Sequence, residues 1–319
     1  MEDRASGASP GAAPPHPEVM AFWELRVATS AETSEGLTNF LWEQGALGVI
    51  EEESPGAPAR LRAFYPEAAS SARLLSAVNA YRAALAALGF PLSPAEPKIA
   101  PLLDQEWASA WQQAFPPRAI GDRLLILPPW DHTSAGSRVA VLIEPGRAFG
   151  TGHHGSTEGC LRLLDAIAQT WAGRPRPPDR ILDIGTGTGI LAIAAVKLGA
   201  DRVRAIDVDP DAVAAAGRNA ELNGCRDRID LGIEGPEGVA DAPPFDLVIA
   251  NLLTHTHLAL GAQYRRLVGD RASLILGGML ADEDQRVSEA LRPAGFVAGG
   301  RLVLNGWSSL LLRRTSRRA

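Results

Sequence analysis

The sequence predicts an α/β protein in two parts, a doubly wound parallel sheet over residues 119–319 and a smaller α+β unit over residues 19–101. Three observations predict it. A chain of 319 residues with 46% hydrophobic content is long enough for two separate cores. From Ile181 onward, short apolar runs alternate with longer amphipathic or alanine-rich stretches, the pattern of strands crossing over through helices. Between about Phe22 and Pro101 the order is strand, helix, strand, strand, helix, strand.

Residues 1–18 are rich in Pro, Ala, Gly and Ser and read as a disordered tail. Phe22–Val27 reads as a strand. Ala31–Gln44 reads as a helix, with Ser30 as its cap and Leu37, Phe40 and Leu41 on one face. Gly45–Ile50 and Leu61–Tyr65 return as strands, Ala68–Leu88 as a long helix ending at Gly89, and Lys98–Pro101 as a last strand. This βαββαβ order resembles a split, ferredoxin-like unit. It holds no catalytic constellation and reads as a binding or positioning module. Residues 102–118 form a linker, in which Asp104-Gln105-Glu106-Trp107 and Trp111 predict a short amphipathic helix. Its tryptophans read as packing anchors.

In the second part, Leu124–Leu127 and Val139–Ile143 read as strands of an entry segment. The loop Glu144–Thr157 follows and opens onto a helix over Glu158–Trp171, with Ser156 and Thr157 at its N-terminus. Arg174–Pro178 leads into the central stretch Ile181-Leu182-Asp183-Ile184-Gly185-Thr186-Gly187-Thr188-Gly189-Ile190, a strand, a glycine loop and the start of a helix that continues to Leu198. A dinucleotide fingerprint places its last small residue where Ile190 stands, and here the third glycine, Gly189, arrives one residue early. Asp-x-Gly-x-Gly-x-Gly resembles instead the first motif of class I methyltransferases, whose cofactor is S-adenosyl-L-methionine.

Val203–Ile206 is the next strand, ending at Asp207. An acidic side chain at that strand tip is placed to accept hydrogen bonds from ribose hydroxyls, whereas Asp209 before Pro210 reads as a helix cap. That helix stops at Asn223-Gly224, and Arg228–Leu231 reads as the third strand. Phe245–Leu253 is the fourth strand and its exit, which puts Asn251 at a carboxyl end, where open parallel sheets hold ligands. Thr254–Leu267 reads as one helix, Ser273–Leu276 as the fifth strand ending at Gly277-Gly278, Asp282–Leu291 as a helix, and Gly295–Val297 and Leu302–Leu312 as the last two strands. The basic tail Arg313–Arg318 reads as a solvated end.

Composition narrows the class. The formal net charge of −6, from 31 basic and 37 acidic residues, argues against a general nucleic-acid binder. Cys160 and Cys225 fit neither a metal spacing nor a disulfide framework, which points to a cytoplasmic protein without a bound metal. No run approaches the ~20 apolar residues that cross a membrane, and the N-terminus lacks the apolar core of a secretory signal.

Phe149-Gly150-Thr151-Gly152-x-His154-x-x-Thr157, the glycine loop and Ala250-Asn251-Leu252-Leu253 stand in one order. The combination resembles the PrmA family, methyltransferases of large-subunit ribosomal protein eleven, over nearly the whole chain from Phe22. The resemblance implies a seven-stranded Rossmann-like class I methyltransferase domain behind a ferredoxin-like substrate-recognition domain. It implies transfer of methyl groups from S-adenosylmethionine to lysine side-chain and N-terminal amines of that ribosomal protein, in the cytoplasm, with neither membrane nor nucleic acid required. Cofactor-binding roles fall on Thr157, Asp183, Gly185, Gly187, Gly189, Asp207 and Asn251. Catalytic roles fall on Asn251, orienting the amine or the cofactor, and on Phe149, walling the methyl site. The run His153-His154-Gly155-Ser156-Thr157 departs from the family's Thr-His-Pro-Thr-Thr, which bears on the substrate more than on the chemistry. A lysine methyltransferase of another protein, or a non-catalytic S-adenosylmethionine-binding module, is the alternative.

Overall fold

The computed structural model describes residues 20–30, 32–52, 59–103, 112–146, 148–171 and 180–315. The tail over 1–18, the helix expected in Asp104–Trp111, the proline-rich Arg174–Pro178 and the basic residues Arg317 and Arg318 lie outside the described residues.

The first sheet comprises β1 (Met20–Ala28), β2 (Gly48–Glu52), β3 (Arg60–Pro66) and β4 (Lys98–Leu103), in the order β2-β3-β1-β4 with every pair antiparallel. Alternate residues Leu25, Val27, Leu61, Ala63 and Tyr65 bury one face against Leu37 and Leu41 of α1 (Ser34–Glu43) and Leu74 and Val78 of α2 (Ser71–Ala87). Each fully buried aliphatic side chain there contributes roughly 1.5–3 kcal/mol. Phe64 and Ile50 point to the other face and pack with Leu102, Phe115 and Trp130, so the sheet is seated on the segment that follows it. The helix expected from Ala31 begins instead at Ser34, behind Thr33. Ser30 is spent in the preceding turn, where its carbonyl accepts from the N–H groups of Thr33 and Ser34 and its hydroxyl lies 3.0 Å from that of Thr33. Such local bonding competes with helix propagation.

A second, three-stranded sheet joins β5 (Arg118–Ile120), antiparallel to β6 (Leu124–Leu127), which runs parallel to β7 (Val139–Leu142). β5 is too short to carry a periodic signal and is not read as a strand from the sequence.

The third sheet is mixed and seven-stranded: β8 (Ile181–Ile184), β9 (Val203–Asp207), β10 (Ile229–Ile233), β11 (Phe245–Asn251), β12 (Val268–Leu280), β13 (Phe296–Leu304) and β14 (Trp307–Arg314), ordered β10-β9-β8-β11-β12-β14-β13. β10 to β12 run parallel, and β14 is antiparallel to both β12 and β13. All four residues of β8 are buried, as a strand covered on both faces requires. One core contains Leu161 and Leu164 of α3 (Gly155–Gln169) and Leu191 and Ile193 of α4 (Ile190–Lys197). The other contains Tyr264 and Leu267 of α7 (Gly261–Leu267) and Val287 and Leu291 of α8 (Asp284–Leu291). Strand order reverses between β8 and β11, and the switch point outside their carboxyl ends, here called the crevice, is where open parallel sheets hold ligands.

Three boundaries differ from expectation. The helix read over Thr254–Leu267 is two, α6 (Thr254–Ala259) and α7, meeting at Leu260. β12 runs through Gly277 and Gly278 to Leu280. The strand read over Leu302–Leu312 is broken by Asn305 and Gly306, whose φ values of 51° and 83° make the two-residue turn between β13 and β14. Turns of that hand match the twist of antiparallel strands.

Candidate active site

The glycine loop is held by its own backbone. Gly185 and Thr186 N–H both donate to the Ile206 carbonyl, at 2.9 and 3.0 Å, which ties the loop to β9. Gly187 N–H donates to Asp207 at 3.0 Å, and Thr188 N–H to the Phe149 carbonyl at 2.9 Å. Gly187 has φ +55°, and a Cβ there would drive into the Phe149 carbonyl oxygen, so this position admits only glycine without displacing the Phe149 peptide.

Asp183 lies beneath this loop, wholly enclosed. Its carboxylate accepts from the Thr186 hydroxyl at 2.7 Å, and burial pushes its pKa up to about 7 against that bond. It therefore shapes the loop from below. Asp207 sits at the tip of β9, half-buried, accepting from Gly187 N–H and, at 3.1 Å, from Asp209 N–H. A carboxylate has about four acceptor sites, so two remain for a ligand. Asp209 caps α5 (Pro210–Leu222) through Asp211 N–H, with Pro210 in the first turn.

Across the crevice, α3 begins at Gly155, three residues before the expected Glu158, and its cap is His154, not Ser156. His154 Nδ1 accepts from Ser156 N–H, and burial pushes the ring's pKa down to about 4, so it caps as a neutral imidazole. Phe149 meets its ring edge-on at 5.3 Å between centroids, and Trp307 follows at 4.6 Å, making a row of three rings from the glycine loop to the β13–β14 turn. Phe149 is half-exposed at one end of this row. Glu51 of the first sheet comes within 4.0 Å of His154 Nε2.

Thr157 and Asn251 meet at the crevice floor. Asn251 Nδ2 donates to the Thr157 hydroxyl at 3.3 Å. Asn251 Oδ1 is buried and has no hydrogen-bond partner. Next to it, Leu252 packs on Gly185, where a Cβ would clash with the leucine Cδ2. The glycine loop, Asp207, Phe149, Thr157 and Asn251 are thus drawn into one crevice. Asp183 is fully enclosed beneath the glycine loop, and Gly189 packs on Ala216 of α5.

The contacts of three residues escape the sequence reading, which names Asn223 only as a helix stop, as the structure has it. Asn219, buried in the last turn of α5, donates to the Thr188 carbonyl and accepts from Glu144 N–H, both at 2.9 Å, clamping the glycine loop to the start of the Phe149 loop. Asn223, one turn on, closes both backbone groups of Leu142. His257, fully enclosed, donates from Nε2 to the Gly277 carbonyl and accepts at Nδ1 from the Tyr264 hydroxyl, both at 2.8 Å. An asparagine on the buried stripe of a helix is the signal that could have found the first two.

The family described as "Ribosomal protein L11 methyltransferase (PrmA)" matches residues 21–315. Ribosomal protein L11 methyltransferases of Bacillus cereus (strain B4264) and Bacillus anthracis (strain A0248) are each 31% identical to this chain over 322 residues, covering 92% of it and 99% of the relative. The crystal structure of a ribosomal protein L11 methylase from Lactobacillus delbrueckii subsp. bulgaricus aligns with a TM-score of 0.54 at 30% identity, over 63% of this chain and 99% of that one.

Proposed function

The chain belongs to the PrmA family of ribosomal protein L11 methyltransferases, and from that premise we propose how its residues methylate L11 with S-adenosylmethionine. The targets are lysine side-chain amines and the N-terminal amine. The observation that carries the reading is the Asn251 carbonyl oxygen, a buried acceptor without a partner at the carboxyl end of β11, beside Gly277 of β12. Leaving such a group unpaired costs about 1–3 kcal/mol, which a ligand N–H recovers.

S-adenosylmethionine supplies a methyl group activated by a sulfonium charge. Asp207 accepts from the ribose hydroxyls, Gly185, Gly187 and Gly189 let Leu252, the Phe149 peptide and Ala216 close on the loop that faces the ligand, and Thr157 holds the Asn251 amide. The fit rests on the spare acceptor capacity of Asp207 and on the orphaned Asn251 oxygen. The substrate amine acts through its lone pair and must arrive neutral, against an ordinary lysine pKa of about 10.4. Docking of the protein substrate beside Phe149 would desolvate the amine and lower that pKa. Asn251 Oδ1 accepts an amine N–H and so aims the lone pair. No strong general base is needed, because alignment alone can supply on the order of 7–11 kcal/mol in favourable cases.

Residues 19–101 form the substrate-recognition domain. Their βαββαβ order and the strand order β2-β3-β1-β4 support a ferredoxin-like reading, and Glu51 carries that domain to the crevice edge. The join falls between the end of β4 at Leu103 and the start of β5 at Arg118, and the methyltransferase domain follows from there. The enzyme works in the cytoplasm, and the net charge of −6 argues against general nucleic-acid binding. Among the described residues, no helix is long and apolar enough to cross a membrane. The test is transfer of labelled methyl groups to purified L11, read by intact mass and peptide mapping. Wild-type protein should label lysine and N-terminal amines, and Asn251→Ala should lower the single-turnover rate by roughly tenfold or more. Labelling of another protein with L11 untouched would overturn the substrate.

A further inference from the structure

Behind Asn251 stands a buried chain of contacts that the methyl-transfer reading does not use. Asn251 is paired in register with Gly277 across β11 and β12. The absence of a Cβ at Gly277 is what makes room for the asparagine carbonyl, since a Cβ there would lie 2.8 Å from Asn251 Oδ1. Next along, Gly278 has φ +80°, and a Cβ there would strike the Leu252 carbonyl. The strand exit Asn251-Leu252 is therefore laid directly on the Gly277-Gly278 backbone.

The orientation of that backbone is set from the far side. The Gly277 carbonyl accepts two hydrogen bonds, from Leu252 N–H at 3.1 Å and from His257 Nε2 at 2.8 Å. A carbonyl can only accept, so Nε2 must carry the proton, and Nδ1 must accept from the Tyr264 hydroxyl. Tyr264 is fully enclosed, and its ring lies 6.1 Å from the imidazole. Burial pushes the His257 pKa down to about 4, so this tautomer persists as a neutral ring at neutral pH. The break between α6 and α7 at Leu260 is what lets His257 and Tyr264 face each other across it.

We infer that His257 is a positioning residue for methyl transfer: through the Gly277 carbonyl it fixes the peptide on which the Asn251 side chain rests, and Tyr264 fixes the ring. It touches neither cofactor nor amine. This rests on the reading of Asn251 as the group that aims the amine. A small tilt of the Gly277 peptide moves the Asn251 oxygen, and misplacement of about 1 Å can cost on the order of a hundredfold in rate.

The test uses full-length protein, S-adenosylmethionine and L11, and compares Asn251→Ala, His257→Leu, His257→Gln and the double variant Asn251→Ala/His257→Leu. His257→Leu should slow single-turnover transfer at saturating cofactor and substrate by roughly ten- to hundredfold. Its cofactor Kd should change by less than about threefold, because the glycine loop and Asp207 are untouched. His257→Gln keeps an N–H near Nε2 and should restore the rate to within about threefold of wild type. The double variant should be no slower than Asn251→Ala alone, since His257 acts through Asn251. Should His257→Leu fail to fold, Tyr264→Phe reads the same link by freeing the imidazole, and an unchanged transfer rate there overturns the proposal. Multiplied losses in the double variant overturn it as well. A slow Asn251→Ala beside a fast His257→Leu removes the positioning role alone. A wild-type rate in Asn251→Ala removes the Asn251 assignment and this proposal with it.

Discussion

The two walls of the crevice are built from different materials. The β8–β9 wall is made of backbone: loop N–H groups donate to Ile206, Asp207 and Phe149, and the glycines admit the close approach of Leu252, the Phe149 peptide and Ala216. The β11–β12 wall is made of side chains: Asn251 rests on Thr157, and the peptide beneath it is steered by His257 and Tyr264. A backbone wall tolerates no added atoms but has few groups to titrate. A side-chain wall depends instead on protonation and on partners far apart in sequence, and it too has glycines, Gly277 and Gly278, that leave no room for a Cβ.

The backbone wall is least tolerant at Gly187. Gly187→Val puts a β-branched residue at φ +55° and against the Phe149 carbonyl, which should cost roughly 2–5 kcal/mol from backbone strain and overpacking. Urea unfolding should show a lower midpoint and calorimetry a loss of cofactor binding. A stable, binding-competent variant would show that the loop has slack.

Acid should strike the opposite wall. The folded His257 pKa of about 4 lies below its ordinary 6.5, so the unfolded chain takes up the proton first. Stability from the neutral ring is present above pH 6.5 and lost as pH falls toward 4, on the order of 3 kcal/mol. His154, also pushed down to about 4, acts in the same direction. Asp183 acts oppositely: burial raises its pKa from 3.8 to about 7, so its contribution falls as pH rises through that window. The clean readout is therefore the difference between wild type and His257→Gln in urea midpoints from pH 7 to 4, where the wild type should lose stability more steeply. Parallel curves would mean that the ring is charged or exposed in the folded protein.

A milder cut sharpens the backbone wall. Asp207→Ala should weaken S-adenosylmethionine binding by about 1.5–3 kcal/mol, through loss of charged hydrogen bonds. Unchanged affinity in calorimetry would remove the ribose assignment.

How legible each wall is follows from what it is made of. Gly185, Gly187 and Gly189 can be read from spacing, because a residue without a Cβ marks a local backbone demand. Asp207 can be read because the tip of a strand is visible as the end of an apolar run. Asn251 can be placed at a strand end, but its orphaned oxygen cannot, since that depends on Thr157 and Gly277 arriving from other segments. The cap of α3 is missed because His154 is an uncommon capping residue and Ser156 a common one. The break at Leu260 is missed because both sides of it are apolar and helical in period. Asn305-Gly306 was readable as a turn and was obscured by the apolar residues on either side.

What the sequence determined by itself is short-range: which runs are strands, where glycine is compulsory, which carboxylate stands at a strand tip, and through those motifs the family. The tertiary structure decided that Asn251 is paired with Gly277, that His257 reaches the Gly277 carbonyl, and that Phe149 closes on Thr188. The physical reason is range. Backbone conformation and hydrophobic period act within a few residues, whereas these contacts exist only once β8, β11 and β12 have taken their register and brought distant side chains within hydrogen-bonding distance.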